Sequence, residues 1–205
     1  MILSQTAVSL CEEIAKSRMR NKSRSTEPPE GFRYQANVLP PAEEQELVER
    51  IQELPLKEFE FHGYVGKRRV ISYGWHYDFG EGRLQPAEEM PVFLLTVRAR
   101  AADFAGLSPK HLPHALVTEY GPGAAIGWHR DKGVFGDVVG VSLLSPCNFR
   151  LRRKTGSIWQ RYSVTVEPRS AYVLRGIVRA EWEHSIPAVE SLRYSITFRS
   201  LRSAR

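Results

Sequence analysis

Near the middle of the chain, in the stretch GWHRDK (127–132), His129 and Asp131 stand two residues apart. In an extended strand residues i and i+2 point to the same face, so an imidazole and a carboxylate would project together while Trp128 and Arg130 face the other way. A lone His-x-Asp pair arises readily by chance, and a polar surface strand carries the same residues. His184, in RAEWEHSIPA, is a third candidate at the end of a β-rich segment, although alone it also fits a structural histidine packed by Trp182. Two imidazoles and one carboxylate form the facial ligand set of non-haem iron(II), which leaves other positions open for a co-substrate and oxygen. Zinc can use the same three groups with water as the fourth.

The last β-rich run, RYSITFR (193–199), adds weight. Arg193, Ser195, Thr197 and Arg199 alternate with Tyr194, Ile196 and Phe198 at a clean period of two. Its apolar face would join a core. The other face, if turned into a barrel mouth, suits a small dicarboxylate, because a guanidinium grips a carboxylate as a two-point fork and hydroxyls add hydrogen bonds. Six residues of strand hold Arg193 and Arg199 about 20 Å apart at the backbone. They would therefore lean inward to opposite ends of one ligand. The competing picture is an exposed strand face laced with salt bridges.

Those groups need a scaffold. PPAEEQELVERIQEL (40–54) predicts a helix: Pro41 suits the first turn, Glu43 and Glu44 suit the positive end, and Leu47, Val48, Ile51 and Leu54 recur at helical spacing. A second helix is predicted over about 87–105, with Pro91 early in it and Phe93, Leu94, Val97 and Phe104 on its apolar face. Between them, EFEFHGYVGKRRVISYGWHYDF (58–79) is rich in aromatics and β-branched residues and predicts strands and loops. Beyond residue 112 the pattern is short β runs punctuated by Gly, Pro and Ser, with no useful helical period. Such a pattern predicts a sandwich, barrel or jelly roll. Two helices ahead of the strands make the class α+β, with the helices packed on one side. Residues 1–31 end in NKSRSTEPPEG and read as a flexible N-terminal leader with a short helix around 7–17, the folded domain beginning at Phe32 and running to residue 205.

Composition narrows the setting. There is no run of ~18 apolar residues to span a membrane. The start, MILSQTAVSLCEEIAKS, lacks the pattern of a signal peptide. Two cysteines, Cys11 and Cys147, give neither a disulfide framework nor a Cys-x-x-Cys zinc site, so a reducing cytoplasm is expected. The net charge of +6 is concentrated at the end: residues 150–205 carry 12 Lys and Arg against 4 Asp and Glu. A basic face points to a polyanion, and a plain basic surface is the competing explanation.

Taken together, His129-x-Asp131, a distal His184 and Arg193-x-Ser-x-Thr-x-Arg199 resemble the AlkB-like iron(II)- and 2-oxoglutarate-dependent dioxygenases. ALVTEYGPGAAIGWHRDK (115–132) looks like the family's segment, with Tyr and Pro-Gly ahead of the metal strand. The resemblance covers about residues 112–200, and more loosely 32–111. It implies a double-stranded β-helix (jelly-roll) core over 112–205, preceded by helices and a substrate lid over 32–111. It implies that His129, Asp131 and His184 bind Fe(II). Tyr120, Arg193, Ser195 and Arg199 would hold 2-oxoglutarate, Arg193 and Ser195 at the distal carboxylate and Arg199 near the metal-bound end. Thr118 stands where well-known repair members have Asn, and keeps a hydrogen-bonding group. The chemistry implied consumes O2 and 2-oxoglutarate, releases succinate and carbon dioxide, and hydroxylates a C–H bond; an N-methyl group then leaves as formaldehyde.

The family's lid matches KRRVISYGWHYDF (67–79). Lys67, Arg68 and Arg69 would meet phosphates, and Tyr73, Trp75 and Tyr77 would stack on a flipped base. A buried aromatic edge of the sheet is the competing picture. FRLRRK, with Arg150, Arg152 and Arg153, is a second candidate for phosphate contacts. Repair members also carry an acid two residues after the metal aspartate, where this chain has Gly133. The expected partner is therefore nucleic acid, DNA or RNA including tRNA, met by a monomer. The alternatives are the same chemistry on a protein side chain or small molecule, or a nucleic-acid-binding module whose metal site is inactive.

Overall fold

A computed structural model describes residues 25–61 and 64–202. The helix expected around 7–17 lies outside the described residues. The first strand, β1 (Phe32–Gln35), is followed by α1 (Pro41–Gln52). Pro40 and Pro41 start that helix without a side-chain cap, and Glu43 and Glu44 complement its positive end. Then come β2 (Lys57–Phe61), β3 (Tyr64–Tyr73), the small hairpin β4 (Trp75–Asp78) and β5 (Arg83–Pro86), and α2 (Val92–Ala105).

The second helix begins at Val92 and not near 87. Pro91 is its N-cap, at φ −62° and ψ 153°, and a proline pushes the residue before it out of the helical region. It ends at Gly106, whose φ of 66° lets Leu107 donate back to the Ala102 carbonyl. The β-rich remainder runs β6 (His114–Tyr120), β7 (Ile126–His129), β8 (Phe135–Leu143), β9 (Cys147–Thr155), β10 (Ile158–Val166), β11 (Ser170–Leu174), β12 (Glu183–Ile186) and β13 (Arg193–Leu201). One helix was not expected there: α3 (Gly176–Glu181), six residues long, too short to leave a period in the sequence.

Two antiparallel sheets face each other. The larger has strand order β1-β11-β8-β13-β6-β3-β2 and the smaller β10-β9-β12-β7, while β4 and β5 pair alone. Strand alternation gives the larger sheet two different faces. On one, Val117, Val141, Val173, Ile196 and Phe198 share a buried cluster with Leu47 and Ile51 of α1 and with Leu94, Val97 and Ala101 of α2. On the other, Phe32, Tyr120, Val138, Tyr172 and Leu174 pack with Phe149, Leu151 and Ile186 of the smaller sheet. All of Arg193–Arg199 is therefore buried; the polar side of β13 is enclosed between sheets and is not an open mouth along its length.

The space between the sheets is tight near Tyr172. A Cβ built on Gly140, its partner across β8–β11, would fall 2.2 Å from the tyrosine ring. Only glycine lets that ring lie across the strand.

Candidate active site

Register decides which side chains meet in the inter-sheet space. Across β6 and β13, Tyr120 pairs with Arg193, Thr118 with Ser195, Leu116 with Thr197 and His114 with Arg199. On the far side of β13, Ser195 pairs with Ser142 and Arg199 with Val138. A period of two in each strand thus builds one polar stripe, with Arg193 at one end and Arg199 at the other.

At the Arg199 end three candidate ligands come together. β7 and β12 pair with His129 opposite His184, and their rings lie 4.2 Å apart between centroids. His184 Nε2 is 3.9 Å from Asp131 Oδ2. His129 Nδ1 lies 2.9 Å from the Gly127 carbonyl oxygen. An N–H donated there leaves Nε2 as the free lone pair, the tautomer a metal ligand needs. Arg199 donates from Nε (3.1 Å) and Nη2 (2.8 Å) to Asp131 Oδ1. The other oxygen, Oδ2, is buried without a hydrogen-bond partner among the described residues.

Electrostatics prepare the same atoms. Burial alone would raise the Asp131 carboxyl, but Arg199, His184 and His129 outweigh it and hold the acid well below the usual carboxylate range. Burial first, and then His129, pushes the His184 imidazole down to about 3. The arrangement is an ionised carboxylate with one oxygen uncommitted, beside the His184 imidazole that the surroundings favour as neutral. A divalent cation fits this donor set of two imidazoles and a carboxylate with a free oxygen. Among the described residues no group of three His, Cys, Asp or Glu side chains is already closed up as a metal site. The three here meet as two pairs sharing His184, a less compact arrangement, and the orphaned oxygen between them is the more telling feature.

The other end suits an anion. Arg193 is 1% exposed, and its Nη2 donates to Ser142 Oγ at 3.1 Å. Among the described residues its Nε and Nη1 have no well-formed hydrogen bond, with the Cys147 thiol the group beside them. The guanidinium sits 4.8 Å from the centre of the Tyr120 ring, which offers a cation–π contact but no countercharge. A buried guanidinium with two free donor edges, bonded to the Ser142 hydroxyl and on the same stripe as the buried Ser195 and Thr118, is complementary to a carboxylate.

The residues expected at the lid divide. Arg68, paired in register with Tyr120, shares the inter-sheet side; burial lowers its pKa while the Tyr120 hydroxyl beside it opposes the shift. Its guanidinium lies 4.4 Å from the Phe59 ring. Arg69 points the other way and makes a two-point ion pair with Glu119, 2.7 Å at each contact. Tyr73 is 5% exposed and belongs to the helix-side core. It does not share an open face with Trp75 and Tyr77, because Gly74, at φ 74°, turns the chain between β3 and β4. Trp75 and Tyr77 lie in the β4–β5 hairpin, half buried. Lys132, next to Asp131, places its ammonium 5.3 Å from the Tyr77 ring and 5.1 Å from Phe79, which ties that hairpin to the segment after the aspartate.

Three site residues were not foreseen. Ser142 is a hydroxyl in the otherwise apolar run VVGVSLL, a signal available in the sequence. His114 is 2% exposed, stacks at 4.8 Å on Phe135, and has an unpartnered Nδ1. Arg179, 6% exposed on α3, donates to the backbone carbonyls of Gly136 (2.9 Å), Lys132 (2.8 Å) and Phe135 (2.8 Å). It clamps the turn after Asp131 onto the helix that leads to His184. Nothing local in the sequence marks it, because its partners are backbone atoms more than 40 residues away.

Comparison with known proteins identifies the family and the fold. The family model described as the 2OG-Fe(II) oxygenase superfamily matches residues 31–199. A curated relative, the alkylated DNA repair protein ALKBH8 homolog of Arabidopsis thaliana, is 27% identical over 164 residues, 67% of this chain and 47% of that protein. The chain thus spans about half the length of that relative. The solved structure of OsALKBH1 superposes with a TM-score of 0.68 at 16% identity, covering 85% of this chain and 99% of that one. A prolyl-4-hydroxylase from Pseudomonas putida gives 0.56 at 17% identity, covering 85% and 94%. At those identities the two structures establish the fold, a jelly roll of mostly antiparallel sheet.

Proposed function

This chain belongs to the 2OG-Fe(II) oxygenase superfamily, and from that premise we propose that it oxidatively dealkylates nucleobases in DNA or RNA, tRNA included. The chain is AlkB-like, and the family's activity requires Fe(II), 2-oxoglutarate and O2. The observation that carries the assignment of the site is the polar stripe between the sheets. At one end it has a carboxylate with one free oxygen beside two imidazoles, and at the other a buried guanidinium with two free donor edges.

His129 and His184 would give Fe(II) two imidazole nitrogens, and Asp131 its uncommitted Oδ2. Arg199 would hold the Asp131 carboxylate in place through Oδ1, so that only the other oxygen serves as donor. Arg193, with Ser142, Ser195 and Thr118 around it, would take the distal carboxylate of 2-oxoglutarate, and Tyr120 would close that end. When bound, the iron couples oxidative decarboxylation of 2-oxoglutarate by O2 to hydroxylation of a substrate C–H bond; an N-methyl group so oxidised departs as formaldehyde. The protein supplies position and dryness: the buried Val138, Leu174 and Phe149 keep bulk water from the reacting centre.

The nucleobase assignment draws on the relative named as an alkylated DNA repair protein and on the basic and aromatic β3–β4 region beside the site. Gly133 removes the acid that repair members carry, so this chain would read its base by other contacts, with Trp75 and Tyr77 of the β4–β5 hairpin the nearest aromatic candidates. The test is formaldehyde and succinate release from methylated single-stranded DNA, duplex DNA and tRNA, with a methylated peptide as control. His129→Ala should abolish turnover on every substrate. Turnover on the peptide with none on any nucleic acid would overturn the nucleobase assignment and leave the oxygenase intact.

A further inference from the structure

The smaller sheet has an outer face that the oxygenase chemistry does not use. In β9, Phe149 and Leu151 point inward and are each 1% exposed. Arg150, Arg152 and Lys154 therefore point outward. Register places Ser163 beside Arg150, Arg161 beside Arg152 and Trp159 beside Lys154. Trp128, which precedes the candidate ligand His129, reaches the same face from β7.

The aromatics and cations on this face interleave. The Arg152 guanidinium lies 4.3 Å from the Trp128 ring and 4.4 Å from Trp159, with an indole on each side. Arg150 lies 5.0 Å from Trp128. Of the outward-facing cations Arg150, Arg152, Lys154 and Arg161, Arg152 has a countercharge among the described residues, Glu183 at 2.6 Å. Arg150 donates to the Ser185 hydroxyl. Among the described residues no ion pair neutralises Arg150, Lys154 or Arg161, and Lys154 and Arg161 are exposed. An ordinary solvated basic face has its cations paired or scattered among acids. Here Lys154, across the ladder, and Arg161, two residues along β10, flank the half-buried Trp159 indole, which lies against the Arg152 guanidinium, and Arg150 stands farther along the same face beside Trp128. Charges spaced along a strand with an aromatic platform between them match the backbone and bases of a single strand.

We infer that this face docks single-stranded nucleic acid, with Arg150, Lys154 and Arg161 on phosphates and one base stacked on Trp159. It rests on the proposal that the substrate is a nucleic acid. It adds a surface on the outer side of the strand that carries His129, which would hold the polymer flanking the target base. The shared chemistry is a single-stranded phosphodiester; separate arms with DNA and RNA distinguish the two sources.

The test is fluorescence anisotropy of the full chain with unmodified 16-nucleotide single strands of DNA and of RNA, over a salt series. A polyglutamate peptide of equal charge serves as competitor. Three phosphate contacts on a single strand correspond to a log–log salt slope of about −2. Arg150→Ala/Lys154→Ala/Arg161→Ala should flatten the slope by about that amount. Trp159→Ala should weaken binding by on the order of tenfold with the slope unchanged. Should the triple variant weaken folding, Lys154→Glu/Arg161→Glu changes only exposed side chains, and its unfolding temperature is measured beside its binding.

Wild-type affinity and slope in both charge variants would overturn the inference. So would polyglutamate competing as well as the oligonucleotide with Trp159→Ala without effect, since that describes a nonspecific basic surface. Dealkylation of a methylated mononucleoside should be the same in all of these variants. A chain that dealkylates nucleobases but binds strands equally in every variant loses this surface and keeps the proposed function. A chain that binds strands through Trp159 without dealkylating any base does the reverse.

Discussion

Arg193→Met separates the candidate site from an ordinary structural role, because it is expected to make the ligand-free protein more stable while abolishing co-substrate binding. The guanidinium is 1% exposed; among the described residues it donates to Ser142, has the Cys147 thiol beside it, leaves Nε and Nη1 without a well-formed hydrogen bond and meets no carboxylate. Burying an uncompensated ion costs several kcal/mol, and replacing buried ionic groups by apolar ones of similar volume often stabilises by about 1–4 kcal/mol. Methionine matches the length of the arginine stem. It orphans the Ser142 hydroxyl, which returns about 1 kcal/mol of the gain. A net of about 2 kcal/mol, at about 2–4 °C per kcal/mol for a chain of this size, raises the unfolding temperature by about 4–8 °C. The wild type should gain about 2.7 kcal/mol from a ligand at 100 times its Kd. The variant should gain nothing from 2-oxoglutarate at the same concentration. Scanning calorimetry measures both, with Mn(II) in place of Fe(II) to prevent turnover. A ligand-free variant that melts several degrees below wild type would show the guanidinium to be satisfied by the fold. A retained 2-oxoglutarate shift would refute the assignment of Arg193 to the co-substrate carboxylate.

Other perturbations probe the parts that hold this site. Arg179→Met removes the donor that three backbone carbonyls share, so denaturant unfolding should report a loss of about 1–3 kcal/mol for each acceptor left unsatisfied; Arg179→Lys, which can reach one of them, should recover part of it together with Fe(II) affinity in anaerobic titration. Burial holds the His114 imidazole well below its ordinary pKa of 6.5, with Arg199 adding to the effect. The folded state therefore binds fewer protons than the unfolded one below pH 6.5, and the stability present above that pH is lost as pH falls. His114→Phe should flatten the slope of unfolding free energy between pH 5 and 6.5 by up to about 1.4 kcal/mol per pH unit, the share of one proton; an unchanged slope would place the imidazole's titration elsewhere. Gly140→Ala should destabilise by about 1–3 kcal/mol because its Cβ falls on the Tyr172 ring, and Tyr172→Leu in the same chain should restore part of that loss.

How much of this could be read from the sequence depended on the range of the interaction. Period-two and period-3.6 patterns are local, so the β-rich half, α1 and the body of α2 were legible, and so was the alternation of Arg193, Ser195, Thr197 and Arg199. Which side of a sheet an alternating strand turns inward is not local. Tyr73, Trp75 and Tyr77 share one parity and were expected on one face, but a glycine at positive φ turns the chain after Tyr73, and α1 and α2 cover that side of β3. Arg69 falls on the helix side for the same reason and finds Glu119 directly across the ladder, while Arg68, one residue earlier, lies inside beside Tyr120.

The same parity connects the two functions assigned to this chain. On β7, His129 faces the enclosed stripe and Trp128 the open side; on β9, Leu151 faces in and Arg152 out. Each strand of the smaller sheet thus has one set of side chains available to the metal centre or its packing and another available to solvent. The strand cannot slip by a single residue without exchanging them. A shift of β7 that exposed His129 would also turn Trp128 into the enclosed stripe and break its contact with the Arg152 guanidinium. The packing of Trp128 on Arg152 therefore helps fix the register that points His129 inward. Replacing Trp128 should for this reason disturb Fe(II) affinity as well as strand binding, whereas Trp159, on a strand with no candidate ligand, should affect strand binding alone.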